Sequence, residues 1–115
     1  MNWSELTDTA HIDELTKESH QKHVLIFKHS TRCSISQTAL GRLERNWDEK
    51  EMEDVKPYFL DLLSYRKLSH HIADQFEVEH ESPQILLIKN GQAIYDRSHL
   101  DIDYHSVKSE LGITP

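Results

Sequence analysis

Residues 24–37 read VLIFKHSTRCSISQ, and this stretch decides how the rest of the chain is interpreted. Its first four residues are apolar, which is typical of a strand covered on both faces, and polar residues interrupt the run from Ser30. After Cys33 the apolar period changes to four, and this spacing predicts a helix with one face in the core. The residues of that stripe are Ile35, Ala39, Leu43 and Trp47.

Cys33, the only cysteine, falls at the predicted start of this helix. Ser30 and Thr31 are suitable caps, so we expect Cys33 in the first turn, where backbone N–H groups are unpaired and the helix dipole is positive. A thiolate is stabilised at such a place, and Arg32 adds a positive charge beside it. We therefore expect Thr31 and Arg32 to tune the thiol. Ser36 occupies the position of a second cysteine in a C-x-x-C pattern. Its hydroxyl either donates to the sulfur and tunes the thiol, or belongs to an ordinary first-turn serine.

Length and charge limit the class of protein. A chain of 115 residues predicts one domain, residues 1–115, with a single core. The formal charge of −7, from 20 acidic and 13 basic residues, argues against nucleic acid or an anionic membrane as partner. The sequence has neither an apolar run of about 20 residues nor a signal-peptide pattern, so we expect a cytoplasmic protein. One cysteine excludes an internal disulfide, and any redox chemistry has to be intermolecular.

The segments on either side of the cysteine predict a parallel pair of strands. Residues 2–7 form either a short edge strand or a docked tail, and Thr9 can cap a surface helix that runs to about Ser19. Residues 58–63, reading YFLDLL, are a second apolar run of strand type. Because one helix separates the two runs, we expect parallel strands with a right-handed crossover.

The second half of the chain predicts a helix, a β-hairpin and a closing helix. Ser64 is the expected cap of the first of these helices. Two apolar strands follow, joined by Asn90-Gly91, a two-residue turn in which both positions need positive φ. Asp101 can begin the last helix, and Gly112 ends it.

The complete order is βαβ, helix, β-hairpin and helix, which predicts an α/β protein with a mixed central sheet between two layers of helices. That order matches the three-layer α/β/α arrangement of the thioredoxin-like fold. In Glu81-Ser82-Pro83-Gln84 the proline precedes an apolar strand, where thioredoxin-like proteins carry a cis proline beside the reactive sulfur. We expect Ser82 and Pro83 to form a substrate groove opposite Cys33. A strand-start proline with a trans bond is the alternative.

Two motifs resemble one family of thioredoxin-like proteins. HSTRCSIS at residues 29–36 and HESPQILLIKNG at residues 80–91 are similar to the monothiol bacilliredoxins of the YtxJ type, the bacilliredoxin C group. The similarity covers nearly the whole chain. Family members usually have proline where this chain has Ser34, a difference that concerns the tuning of the thiol.

The resemblance implies a thiol–disulfide oxidoreductase in which Cys33 is the nucleophile. The cysteine would attack the mixed disulfide between a protein and bacillithiol, the low-molecular-weight thiol that Gram-positive bacteria of the Bacillus and Staphylococcus kind use in place of glutathione. It would release the protein and keep bacillithiol on its own sulfur. The resemblance therefore implies bacillithiol as thiol co-substrate, S-bacillithiolated cytosolic proteins as partners, and no tightly bound cofactor. We expect a monomer.

Other functions stay open on the sequence alone. One is a non-catalytic thioredoxin-like module whose Cys33 is a redox sensor, and another is a glutaredoxin-like carrier of an iron–sulfur cluster bridged between two chains. The nine histidines do not predict a metal site. The adjacent pair His70-His71 would point about 100° apart on a helix, and no second cysteine or compact carboxylate cluster completes a ligand set. His29 could tune the thiol, but we expect it to be exposed.

Overall fold

The computed structural model describes residues 1–113, which form one five-stranded sheet with helices on both faces. The last two residues of the predicted domain 1–115 lie outside this range. In chain order the elements are β1 (Ser4–Glu5), α1 (Thr9–Glu18), β2 (His23–His29), α2 (Ser34–Asn46), β3 (Val55–Asp61), α3 (Arg66–Phe76), β4 (Gln84–Lys89), β5 (Gln92–Ser98), a 3₁₀ helix (His99–Asp101) and α4 (Tyr104–Glu110). None of the helices in the described range is long and apolar enough to cross a membrane.

The sheet is mixed, with the strand order β1-β3-β2-β4-β5. β2 and β3 are parallel, as predicted from the helix that separates them, and β4 is antiparallel to both β2 and β5. β1 pairs with β3 at the edge, so residues 2–7 do contain an edge strand. Asn90 and Gly91 join β4 to β5 with φ of 53° and 76°, which confirms the predicted hairpin turn. The predicted α/β/α architecture is therefore confirmed.

β2 is apolar along its length because both of its faces are covered. Leu25 and Phe27 pack into a core with residues of α2 and α4, whereas Val24 and Ile26 pack on the opposite face with residues of α1 and α3. Successive side chains of a strand point to opposite faces, so each helix layer receives alternate residues of the same run. Because β2 is also the central strand, its carboxyl end and the cysteine that follows it lie in the middle of one end of the sheet.

The apolar stripe of α2 is confirmed except at its first position. Ala39, Leu43 and Trp47 are buried, but Ile35 is 42 % exposed and the prediction for it is wrong. Ser36 takes the core-facing position in this first turn and is fully buried. Because neighbouring residues on a helix are about 100° apart, a buried Ser36 turns Ile35 outward.

Two helices begin at aspartates that the sequence analysis did not select. α1 is capped by Asp8, whose carboxylate accepts the N–H two residues later at 2.9 Å, so the expected cap Thr9 is wrong. α4 is capped by Asp103, and the predicted start Asp101 lies in the 3₁₀ helix before it. Both caps have extended backbone, which a capping residue requires and which the order of polar residues alone does not reveal.

The expected cap of α3 is also wrong. The N-cap residue is Tyr65, which makes no side-chain capping hydrogen bond. The Ser64 hydroxyl donates instead to the carboxylate of Asp61 at 3.0 Å. The hydroxyl therefore closes the turn after β3, and the first N–H groups of α3 have no side-chain cap.

Candidate active site

The antiparallel pairing of β2 and β4 brings two loops to the same end of the sheet, the loop after β2 and the loop before β4. β2 ends at His29 and α2 begins at Ser34, so Cys33 lies just beyond the carboxyl end of the central strand. β4 runs antiparallel to β2 with Gln84 opposite Lys28, and the residues that precede Gln84 therefore lie at that same end. The Ser82–Pro83 peptide bond is cis, as predicted. The place of Ser82 and Pro83 in a substrate groove stays a prediction.

Cys33 is itself the N-cap residue of α2, one position before the first turn in which it was expected. Its N–H donates to the carbonyl of Ser30 at 3.2 Å, and its carbonyl accepts the N–H of Gln37 at 3.1 Å. The predicted caps Ser30 and Thr31 are wrong, because the chain is still turning there. No side chain caps α2 in the described structure, so its first N–H groups are free to face a negative charge on the sulfur.

Residues 30–33, the cysteine loop, join β2 to α2. Thr31 and Arg32 are the exposed residues of this loop. The carbonyl of Thr31 accepts a hydrogen bond from the side chain of Gln37 at 2.8 Å, which ties the loop to the first turn of α2. Cys33 is partly exposed and Arg32 is exposed. The tuning of the thiol by Thr31 and Arg32 stays a prediction.

Ser36 does not bond to the sulfur. Its Oγ lies 2.7 Å from Nδ1 of His29 and accepts the backbone N–H of Ser30 at 3.0 Å. Of the two interpretations offered by the sequence, direct donation from Ser36 to Cys33 is therefore wrong. The hydroxyl instead holds together the end of β2, the start of the cysteine loop and the first turn of α2.

His29 is 5 % exposed, so the expectation of a surface histidine is wrong. Its ring lies 5.4 Å from that of Phe59 and 6.1 Å from that of Phe27, measured between ring centroids. Burial lowers the pKa of His29, while the carboxylates of Asp61 and Glu44 act in the opposite direction. The sequence carried a signal for this burial, since His29 follows Phe27 by two residues on one face of a strand.

On the other face of β2 lies a residue that the sequence analysis missed. Lys28 is fully buried, and its Nζ is 3.3 Å from both the carbonyl oxygen of Ser69 and Nδ1 of His80. The Ser69 hydroxyl also lies 3.1 Å from that nitrogen. Burial lowers the pKa of Lys28 from 10.5 to about 8. The pKa of His80 is also lowered, mainly by burial and then by the nearby charges of Lys28 and His70.

The side chain of Gln84 and the backbone N–H of His99 hold the loop that leads to Pro83. Gln84 donates to the carbonyl of Glu79 at 2.9 Å and accepts the N–H of Glu81 at 3.4 Å. The N–H of His99 donates to the carbonyl of Pro83 at 2.9 Å. His99 has a φ of 56°, an uncommon value for a residue with a side chain, and this conformation aims its N–H at the loop.

An open cavity of about 730 Å³ lies between the starts of α1 and α3. Its lining includes Asp8, Arg66, Lys67 and His71, and neither Cys33 nor Pro83 contributes to it. Within residues 1–113, no three histidine, cysteine or acidic side chains come together in a way that could hold a metal ion.

The fold and the site define a class of protein. The chain has a cysteine at a strand-to-helix turn and a cis proline at the same end of the sheet. In this order of elements, these are the features of a thioredoxin-like protein, here with one cysteine. A solved structure described as a proposed oxidoreductase with a thioredoxin fold is 30 % identical, with a TM-score of 0.78, and the match covers 93 % of this chain and 91 % of that one.

Two thioredoxins show the same fold at lower identity. The thioredoxin of Malassezia sympodialis is 16 % identical, with a TM-score of 0.75 and coverage of 96 % of this chain and 89 % of that one. Thioredoxin f2 of Chlamydomonas reinhardtii is 14 % identical, also with a TM-score of 0.75, and the match covers 99 % of this chain and 100 % of that one.

The particular family follows from the sequence match. The family model described as monothiol bacilliredoxin BrxC matches residues 4–107. The chain belongs to the monothiol bacilliredoxin family, and the resemblance seen in its two motifs is confirmed.

Proposed function

We propose that this protein removes bacillithiol from S-bacillithiolated proteins by thiol–disulfide exchange at Cys33. One observation carries the proposal: the only cysteine is partly exposed at the uncapped start of α2, in a chain of the monothiol bacilliredoxin family. An uncapped helix start favours the thiolate, which is the form that attacks disulfides.

The exchange proceeds in two balanced steps. In the first, the Cys33 thiolate attacks the bacillithiol sulfur of the mixed disulfide. A bond forms between these two sulfurs, the bond to the substrate protein breaks, and that protein leaves as a thiolate which takes a proton from solvent. In the second, a separate thiol attacks the bacillithiol sulfur and Cys33 leaves as thiolate. The second thiol has to come from outside, because the chain has no other cysteine.

The proposal extends to the loop opposite the cysteine. Ser82 and Pro83 would receive an extended segment of the substrate protein. The cis Ser82–Pro83 bond, which lies just before β4 at the end of the sheet where β2 also ends, supports this role. Arg32 would add positive charge beside the sulfur. The protein would act as a cytoplasmic monomer in a reducing compartment, with bacillithiol as co-substrate and no tightly bound cofactor.

The direct test uses a protein that carries bacillithiol on a single cysteine. Intact-mass measurement should show the adduct leaving that protein and appearing on this one, and Cys33→Ser should abolish the transfer. The same protein carrying glutathione is the matched control and should react more slowly. Equal transfer of both thiols would contradict the assignment of bacillithiol.

Added free bacillithiol should then give more than one turnover for each molecule of enzyme. A protein that accepts a single adduct and never turns over would instead be a redox sensor. These two measurements separate the chemistry of the first step from the complete catalytic cycle.

A further inference from the structure

His29 is connected to the cysteine loop through the hydroxyl of Ser36. It is the last residue of β2, and its Nδ1 lies 2.7 Å from the Ser36 hydroxyl in the first turn of α2. The same hydroxyl accepts the Ser30 N–H at 3.0 Å, and the carbonyl of Ser30 accepts the Cys33 N–H at 3.2 Å. One chain of contacts therefore runs from the imidazole through Ser36 and Ser30 to the backbone of the cysteine.

The direction of these hydrogen bonds follows from the number of available protons. Ser36 is fully buried, and its oxygen already accepts from Ser30. Within the described residues its own proton has one acceptor, Nδ1 of His29. A buried hydroxyl without an acceptor is costly, so Ser36 donates to Nδ1 and the neutral imidazole carries its proton on Nε2.

We infer that His29 is a positioning residue for Cys33, which acts by accepting the Ser36 proton and so fixing the loop from which the sulfur is presented. With its proton held by the imidazole, the Ser36 hydroxyl donates to His29 and not to the sulfur, and it anchors the Ser30 amide. The inference rests on Cys33 as the nucleophile of the proposed function, but it does not depend on which small thiol reacts.

Replacing the ring separates its shape from its acceptor. His29→Phe keeps a ring beside Phe27 and Phe59 and removes the acceptor. His29→Asn restores an acceptor, because its Oδ1 is bonded to Cγ as Nδ1 is in histidine. Ser36→Ala removes the hydroxyl through which the imidazole acts.

The measured reaction is exchange of Cys33 with a neutral pyridyl disulfide. The Cys33 thiolate forms a bond to one sulfur, the disulfide breaks, and the coloured thiopyridone leaves. His29→Phe should slow this reaction about tenfold, the effect of losing one hydrogen bond, and His29→Asn should stay within about threefold of wild type. Ser36→Ala should slow the reaction at least as much as His29→Phe, because it also loses the bond from the Ser30 N–H. The double variant His29→Phe/Ser36→Ala should be no slower than Ser36→Ala, since the imidazole acts only through the Ser36 hydroxyl.

Two further measurements distinguish positioning from a general loss of stability. Hydrogen exchange at the Ser30 amide should accelerate in His29→Phe and stay slow in His29→Asn. The ratio of wild-type to His29→Asn rates should be constant above pH 6.5 and fall at lower pH, because a protonated imidazole cannot accept from Ser36. The charged groups that face His29 are Asp61 from β3 and Glu44 from α2, and both are kept in all variants.

A wild-type exchange rate in His29→Phe, with the Ser30 amide still protected, would overturn the inference. Multiplying effects in the double variant would overturn it as well. If His29→Phe does not fold, the rate and the Ser30 amide of Ser36→Ala decide the question, with His29→Asn as the reference. The pyridyl disulfide contains no bacillithiol, so a failed bacillithiol transfer leaves this test unaffected.

Discussion

Replacing Lys28 by methionine measures what the buried ammonium group costs the fold. Lys28 is fully buried, and its partners are the carbonyl of Ser69 and the imidazole of His80, neither of which is an anion. Its pKa falls from 10.5 to about 8 because of burial. At about 1.36 kcal/mol per pH unit, this difference corresponds to at most about 3.4 kcal/mol of folding free energy that the charged form loses.

Methionine removes this cost and also removes two hydrogen bonds worth about 1 kcal/mol each. We therefore expect Lys28→Met to be about 1 to 2 kcal/mol more stable than wild type at pH 7. This outcome is opposite to the usual effect of a substitution in the core.

The pH dependence supplies the sharper test. Because the folded-state pKa of Lys28 lies below the unfolded value, the unfolded chain holds more protons between about pH 8 and 10.5, and wild-type stability rises with pH in that window. The advantage of Lys28→Met should therefore shrink by about 2.2 kcal/mol between pH 8 and pH 10, and change little between pH 6.5 and pH 7.5.

Urea unfolding followed by tryptophan fluorescence gives both quantities for wild type and variant. Lys50→Met, at an exposed position, corrects for the general effect of removing one positive charge. A stability difference between Lys28→Met and wild type that does not change from pH 7 to pH 10 would refute the reasoning, since it would mean that the ammonium group is solvated in the folded protein.

Three other predictions concern Ser36, His80 and Arg32. Ser36→Cys should form an internal disulfide with Cys33 in place of a lasting small-thiol adduct, and intact mass should show a loss of two hydrogens; a persistent adduct would contradict this. His80→Asn should retain stability as the pH falls from 6.5 to 5, where wild type loses it because burial lowers the pKa of His80 below the unfolded value. If urea unfolding shows the same loss of stability in wild type and His80→Asn over this pH range, His80 does not contribute to the pH dependence. Arg32→Ala should slow alkylation of Cys33 by iodoacetate about two- to fivefold more than alkylation by neutral iodoacetamide, and salt should reduce the difference; equal effects would exclude a charge effect.

Several features of this protein follow from short stretches of its sequence. The run before Lys28 is apolar at every position because β2 is covered on both faces, and a sequence pattern records that burial directly. Asn90-Gly91 predicted its turn because the positive φ values depend on those two residues themselves. Cys33 could be placed between a strand and a helix because the apolar period changes on either side of it.

The hydrogen bonds of the buried polar groups near the end of β2 were decided by the tertiary structure. Lys28 bonds to Ser69 and His80, which are 41 and 52 residues away, and nothing in the local sequence shows that these atoms meet. The helix caps were predicted wrongly for a related reason. Several neighbouring polar residues can supply the capping oxygen, and the backbone angles at one residue decide which of them does so. His29 is buried because α2 and β3 bring Glu44 and Phe59 around it, and this burial directs Ser36 to the imidazole and away from the sulfur. A hydrogen bond is made only where packing sets both distance and angle, so the partner of each polar group near Cys33 depended on the whole fold.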